Sequence, residues 1–369
     1  MLAQGIKIHF AHRTFSWNNE ARGKAAVHCV IIGFGLQDVA EKIIYEYEDN
    51  QGEPHAIKVK NINPYLVDAS DLVIAKARKP ICNVPEMTYG SKPVDGGNLI
   101  LTKIQKLEYL QVEPNVGKYI RPSIGSEELI NGNGRYCFWL IDANPQELRK
   151  LPELIKHIDA VRQMRLESTK IPTQAQAATP TLFGEIRQPK IHYLAVPEVS
   201  SDKRTYIPID YLQSNTIASN LLYTIEGAKN YEFGLLNSIM HVAWTGAVCG
   251  RLGTGYRYSA GLVYNNFPWP EVNALQTAKI EAAAQAVLDA RAVHTNASLA
   301  DLYDPLTMPT NLLKAHQALD KAVDAAYGYK GAATDAARVA FLFERYQQIT
   351  SLLPALVTKT KKVTKKASN

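Results

Sequence analysis

The residues best suited to grip a polyanion lie in Cys249-Gly-Arg-Leu-Gly-Thr-Gly-Tyr-Arg-Tyr-Ser259, which packs two arginines, two tyrosines and three glycines into one short stretch. Arginine can hold phosphate or read guanine through two parallel donors. Tyrosine can bond a phosphate or stack, and glycine lets backbone come close to a duplex. A second basic set, Lys203-Arg204-Thr205-Tyr206, stands near Arg187, His192 and Tyr193. A basic, aromatic strand is also what an ordinary amphipathic surface looks like, so composition leaves both readings open.

Other chemistry is poorly represented. There is no GxGxxG, P-loop or GxSxG string, hence no phosphate cradle or nucleophile elbow of those designs. Cys29, Cys82, Cys137 and Cys249 are far apart, with no CxxC pair, which argues against a disulfide framework or zinc site and for a reducing cytoplasm. Asp68 with Asp71, and Glu46 with Glu48 and Asp49, lack His or Lys partners at metal or nuclease spacing. His316 and Asp320 sit at i and i+4; a helix-surface or capping role is the expectation. No catalytic residue and no metal ligand is assigned.

The elements that would position these groups are mixed. The chain has 369 residues, 46% of them hydrophobic, enough for two or three cored units. The net charge is +6, but Thr358–Asn369 alone holds five lysines and no acid. Subtracting those five leaves a body at +1, so a DNA-binding face must come from local clustering. The tail is expected to be a disordered, solubilising end. No apolar run is long enough to span a membrane, and the N-terminus does not resemble a secretion signal.

Strands are expected at residues 6–11 and over Ala25–Phe34, whose continuous apolar run suits a strand buried on both faces of a larger sheet. A turn is expected within Thr14–Gly23. Pro152–Ser168 has helical spacing with a basic face carrying Arg162 and Arg165, and residues 170–181 read as a loop. Short strands follow to about Tyr211, with a hairpin turn at Glu198–Asp202. Phe233–Val248 suits one buried helix, and residues 275–297, 311–327 and 333–353 suit a helical bundle. The fold class is α+β.

Longer strings carry a resemblance. Phe10-Ala-His-Arg-Thr-Phe-Ser-Trp through Val30-Ile-Ile-Gly-Phe34 resembles the last strands of the methyltransferase domain in the MmeI-like (Type IIL) family of DNA adenine-N6 methyltransferases and restriction-modification enzymes. Gly90-Ser-Lys-Pro-Val-Asp-Gly-Gly-Asn-Leu-Ile-Leu101, Tyr119-Ile-Arg-Pro122 and Ile130-Asn-Gly-Asn-Gly-Arg-Tyr-Cys-Phe-Trp-Leu140 resemble the start of its target-recognition region. Gly250-Arg-Leu252, Tyr256-Arg-Tyr-Ser259 and Leu262-Val-Tyr-Asn-Asn-Phe-Pro-Trp-Pro270 resemble its end. Leu302-Tyr-Asp-Pro-Leu-Thr-Met-Pro309 and Leu313–Asp324 resemble its helical C-terminal domain.

The resemblance implies a division at 1–55 (end of the methyltransferase domain), 56–270 (target recognition), 271–355 (helical domain) and 356–369 (basic tail). It implies sequence-specific recognition of double-stranded DNA for a methyltransferase that uses S-adenosylmethionine. That catalytic half would be supplied in cis or as a separate chain; in the second case this chain is a free-standing specificity subunit. The family's Asn-Pro-Pro-aromatic motif is absent, since Asn63-Pro-Tyr and Asn144-Pro-Gln depart from it, and so is its cofactor glycine motif. No cofactor site and no methylation by this fragment alone are therefore expected.

The resemblance implies Arg251, Tyr256, Arg257 and Tyr258 as DNA contacts, and residue type alone adds Lys203 and Arg204 as candidates. Gly253 and Gly255 resemble a variable pair that selects one target base, where relatives often carry opposite charges. Having no side chain, these glycines leave that base to loose reading, to another residue or to a bridging water; alternatively they merely form a turn. Phe267, Pro268 and Trp269 are expected to pack the recognition domain on the helical one.

Overall fold

A computed structural model describes residues 4–17, 27–47, 52–253 and 255–351. The basic tail, the turn expected around Asn18–Glu20, and Glu48 and Asp49 lie outside the described residues. Four small sheets and a set of helices make up the rest, an α+β architecture as expected.

The first sheet runs Val27–Gly35, Lys7–Trp17, Lys42–Glu46, His55–Val59, with the second and third strands parallel and the outer pairs antiparallel. The strand Lys7–Trp17 runs through Thr14, where a turn was expected. Val27–Gly35 forms a strand, but not a buried one: Val30, Ile31 and Ile32 are 49%, 42% and 39% exposed. Successive strand residues point to opposite faces, so both faces of this edge strand are open. The sheet's own core is small, built on Ile8, Ala11, Ile44 and Ile62.

Three sheets follow in the recognition region. One orders Ile217–Ala218, Ile120–Ile124, Arg135–Phe138, Ile100–Leu101; another orders Asp210–Leu212, Tyr193–Pro197, Leu222–Glu226, Thr88–Tyr89. All five residues of Tyr193–Pro197 are buried, which is why that apolar run reads as a central strand. The last sheet orders Val199–Ser200, Gly255–Arg257, Gly250–Leu252. The chain therefore passes from one sheet to another across the single residue Glu198, and the hairpin turn expected at Glu198–Asp202 is a change of sheet instead.

Arg165 belongs inside, not on the basic face expected of its helix Pro152–Leu166. It is fully buried. Its guanidinium donates to the carbonyls of Pro93, Val94, Gln176, Thr179 and Leu182 at 2.7–3.0 Å. Five hydrogen bonds from one planar fork satisfy the buried guanidinium and tie together carbonyls from two separate segments. That knot orders residues 170–181, which form a short helix, Ile171–Ala175, and a 3-10 turn, Gln176–Ala178, rather than an open loop.

Asn230–Leu236 and Ile239–Val248 are two helices where one was expected, separated at Asn237 and Ser238. Ser238 caps the second by accepting from His241 N. Ala274–Ala292, Thr310–Tyr327 and Asp335–Ser351 complete the helical part. They share one core with the recognition region, from Val67 and Leu194 through Trp244 to Leu319 and Phe343. Phe267 and Trp269 pack at this junction as expected, and Tyr327 Oη donates to Pro268 O at 3.0 Å.

His316 is interior, correcting the helix-surface expectation for it, whereas Asp320 is half-buried and takes the expected capping role. His316 is fully buried, stacks on Tyr206 with ring centres 3.9 Å apart, and meets Tyr303 Oη at 2.8 Å. Asp320 accepts from Tyr206 Oη at 2.6 Å and from Ile239 N at 2.8 Å. Among the described residues no cluster of three or more metal-ligating side chains occurs. Burial pushes the Asp320 carboxyl up to about 6 from 3.8. A raised folded pKa means its contribution to stability is present in full below pH 3.8 and is lost as pH rises through about 6. That component is on the order of 2–3 kcal/mol. Asp320→Asn should abolish this fall in chemical-denaturation stability between pH 4 and 7. Asp320→Ala, which leaves Tyr206 Oη and Ile239 N unpaired, should cost about 2–4 kcal/mol at pH 7. A D320N profile parallel to wild type would refute the assignment.

Candidate nucleic-acid interface

The Arg-Tyr cluster folds into a hairpin. Gly250, Arg251 and Leu252 pair with Arg257, Tyr256 and Gly255. Gly253 opens the connection at φ +59°, a left-handed conformation that glycine takes without a Cβ penalty. Val199–Ser200 adds as a third strand, opposite Arg257 and Tyr256. The hairpin grows from the end of Ile239–Val248, whose first turn Asp320 and Ser238 hold.

Acids from the neighbouring segment anchor both arginines. Arg257 Nε meets Glu198 Oε1 at 3.1 Å while 59% of its side chain stays exposed. Arg251 faces Asp202 at 3.7 Å, donates to Gly246 O, and lies over the Tyr256 ring at 4.7 Å. Such contacts fix long side chains in advance of binding, reducing the entropy lost when a ligand arrives. Tyr256 is half-buried, and burial pushes its hydroxyl up to about 12. It stays a neutral donor and stacking surface.

Tyr258 does not belong to this surface. It is 2% exposed and its hydroxyl meets His241 Nε2 at 3.0 Å; burial drives that histidine down to about 3, so it is neutral. Alternation along the strand puts Arg257 on one face and Tyr256, with its cross-strand partner Arg251, on the other, the face toward which the interred Tyr258 also turns. Lys203 is exposed and Arg204 half-buried. The two basic sets, fifty residues apart in sequence, meet here, because Asp202 pairs with Arg251 and Ser200 with Tyr256. Glu198 and Asp202 were missed as site residues; no local pattern ties them to arginines so far along the chain.

A cavity of about 580 Å³ runs from the back of the hairpin toward the first sheet, with Arg251, Gly253 and Tyr256 on one side and Arg13, Glu46 and Tyr47 on the other. A second, of about 490 Å³, lies beside the hairpin and is lined by Ser126, Ser200, Arg204 and Gly255 among others.

Comparison with known proteins gives a consistent assignment. The model for the MmeI target recognition domain matches residues 68–271, that for the MmeI C-terminal domain 272–354, and that for the MmeI DNA-methyltransferase domain 1–46. DNA methyltransferase A of Bacillus subtilis (strain 168) is 39% identical over 347 residues, covering 94% of this chain and 39% of that protein. The solved structure of the Type IIL restriction-modification enzyme MmeI in complex with DNA is similar at a TM-score of 0.88 and 54% identity, over 95% of this chain and 47% of that one. The chain thus spans less than half the length of these relatives.

Gly253 and Gly255 are not equivalent. A Cβ on Gly253 would meet nothing within 4 Å, whereas one on Gly255 would lie 2.9 Å from the backbone oxygen of Ser200. A charged pair at these positions is therefore accommodated at 253 and opposed at 255 unless Val199–Ser200 moves. Gly253→Asn should be nearly neutral and Gly253→Lys should cost about 1 kcal/mol, the left-handed penalty. Gly255→Asp should cost about 2 kcal/mol or more, since strand separation or strain must follow. Thermal denaturation checks the order; equal costs at the two positions would contradict the geometry.

Proposed function

The chain belongs to the MmeI family, and from that premise we propose that it reads the sequence of double-stranded DNA and positions an adenine for an adenine-N6 methyltransferase of restriction-modification type. The observation that carries this reading is the exposed hairpin edge. There Arg257 and Arg251 are braced by Glu198 and Asp202 within the stretch that matches a target-recognition model. Arg257 on one face of the hairpin, Arg251 with Tyr256 on the other, and Lys203 are the contacts we assign to the duplex, which must therefore straddle the hairpin, with Gly253 and Gly255 setting how closely the backbone approaches. The domain division at 55, 270 and 355 forms part of this proposal.

The open first sheet supports a catalytic partner. Val30, Ile31, Ile32 and Phe34 leave an apolar strand uncovered, more than a solitary domain ordinarily tolerates. The rest of a methyltransferase sheet, in cis or as a separate chain, would cover it. Four unpaired cysteines accord with action in the cytoplasm, and no described helix is long and apolar enough to cross a membrane.

S-adenosylmethionine would supply the methyl group in the complete enzyme. The two Asn-Pro pairs described in this chain do not supply an adenine-gripping motif. The Asn63 side chain accepts from Tyr65 N and Val67 N, closing its own turn. Asn144 caps Pro145–Leu148 through Gln146 N. Both asparagines that precede a proline are thus engaged in local structure, and a flipped base needs a free recognition edge. No step of methyl transfer is assigned to this chain.

Selection of bound sequences from a random duplex pool at low salt, with and without the catalytic half, tests the proposal. A defined preference should emerge, strengthened by the catalytic half. Arg257→Ala should weaken the selected duplex by about 1–3 kcal/mol and relax the preference at one position. Labelled S-adenosylmethionine should leave no label in DNA with this chain alone. Incorporated label, or binding with no preference in either arm, would overturn the reading.

A further inference from the structure

The cavity beside the hairpin holds polar groups that the fold does not use. Ser200 is 5% exposed, lines this cavity, and its Oγ has no hydrogen-bond partner. Arg204 lines the same cavity; its Nε is buried and likewise unpartnered. No hydrogen bond reaches this guanidinium from the described residues, desolvation lowers its pKa, and Asp304 adds only a Coulombic attraction. This contrasts with Arg251 and Arg257, each braced by an acid.

Orphaned buried donors cost free energy unless something satisfies them. Arg204 lines the cavity with a guanidinium hydrogen-bonded to no described residue, and that guanidinium is the donor set for a tetrahedral oxyanion, where charge-assisted bonds are strongest, while the Ser200 hydroxyl lies buried in the wall. Ser126 already donates to the Leu221 carbonyl and shapes the wall rather than offering a proton. Glu127 also lines the cavity, exposed to solvent, and its carboxylate opposes an approaching anion.

We propose that Arg204 and Ser200 form a seat for one backbone phosphate of the duplex, next to the hairpin that faces the bases. This rests on the reading of the chain as a duplex-binding module, and it gives Arg204 a different duty from Arg257. A phosphate contact fixes register and carries no sequence information.

The test uses the full chain with Arg204→Gln and Ser200→Ala, each verified as folded by near-ultraviolet circular dichroism. Duplex affinity is measured across a salt series, and the Arg204 Nε resonance is followed by NMR as inorganic phosphate is added. Arg204→Gln should weaken binding about tenfold at low salt and lower the slope of log affinity against log salt by about one, with base preference unchanged. Ser200→Ala should weaken binding by a smaller factor, and phosphate should shift the Arg204 resonance saturably in wild type.

Wild-type binding that Arg204→Gln leaves unaltered in affinity and slope would overturn the phosphate seat while the duplex-reading function stands. A changed base preference at constant slope would also overturn it, making Arg204 a base reader. A saturable phosphate shift in a chain that binds no duplex would sustain the anion seat and remove the duplex reading. No shift and no duplex binding would remove both.

Discussion

One carboxylate ties together the parts that carry the candidate interface. Asp320 projects from the helical domain, accepts the Tyr206 hydroxyl with one oxygen and caps Ile239 N with the other. Tyr206 stands two residues after Arg204, and Ile239 starts the helix that runs into the hairpin. Both basic segments are therefore located relative to the same buried atom pair. The neighbouring knot of His316, Tyr303 and Arg291 continues the connection, with Arg291 donating to Ile209 O and to Tyr303 Oη. Interior polar groups of this kind hold geometry only when every partner is present. This explains why the helical domain shares a core with the recognition domain instead of standing apart on a linker.

The second organising feature is the passage of the chain between sheets at Glu198. Its backbone N–H donates to Leu221 O, its carbonyl accepts from Tyr258 N, and its carboxylate holds Arg257. A single residue therefore fixes where the third strand meets the hairpin and how the exposed arginine is oriented. The rigidity comes from backbone pairing on either side, so the arginine stands on a sheet rather than a loose loop. Sites built on regular elements hold their geometry more tightly than sites on loops.

Much of the architecture was legible from local pattern. Pro152–Leu166, Ala274–Ala292 and Thr310–Tyr327 carry long helical periodicity, and Phe267 and Trp269 stand in an apolar string that could only pack inside. The failures have a common cause. Arg165 and His316 look like surface residues by type, yet both are buried, and Asp320 half-buried, because distant carbonyls, rings or amides satisfy them. Val27–Gly35 erred the opposite way: its composition announces a two-sided burial that the described residues do not provide. In the site itself, the arginines and glycines were legible, and the resemblance brought them together. The orientation of Tyr258 and the bracing acids depend on strand register and long-range pairing, to which sequence spacing is blind.

Charge balance decides what the interface can do. The body outside the lysine tail is close to neutral, and the hairpin arginines face acids at 3.1 and 3.7 Å. A carboxylate beside a guanidinium weakens its pull on a phosphate, because the approaching anion meets both charges. The same carboxylate does not spoil a base edge, which presents neutral acceptors and donors, and it holds the guanidinium in the plane where two parallel bonds can form. Braced arginines therefore suit base reading, and an arginine without a hydrogen-bonded acid suits backbone anchoring. On the reading proposed above, Arg257 against Glu198 and Arg204 just beyond the strand Val199–Ser200 would divide those two tasks. Recognition in such a protein depends on where each charge is held rather than on how many there are.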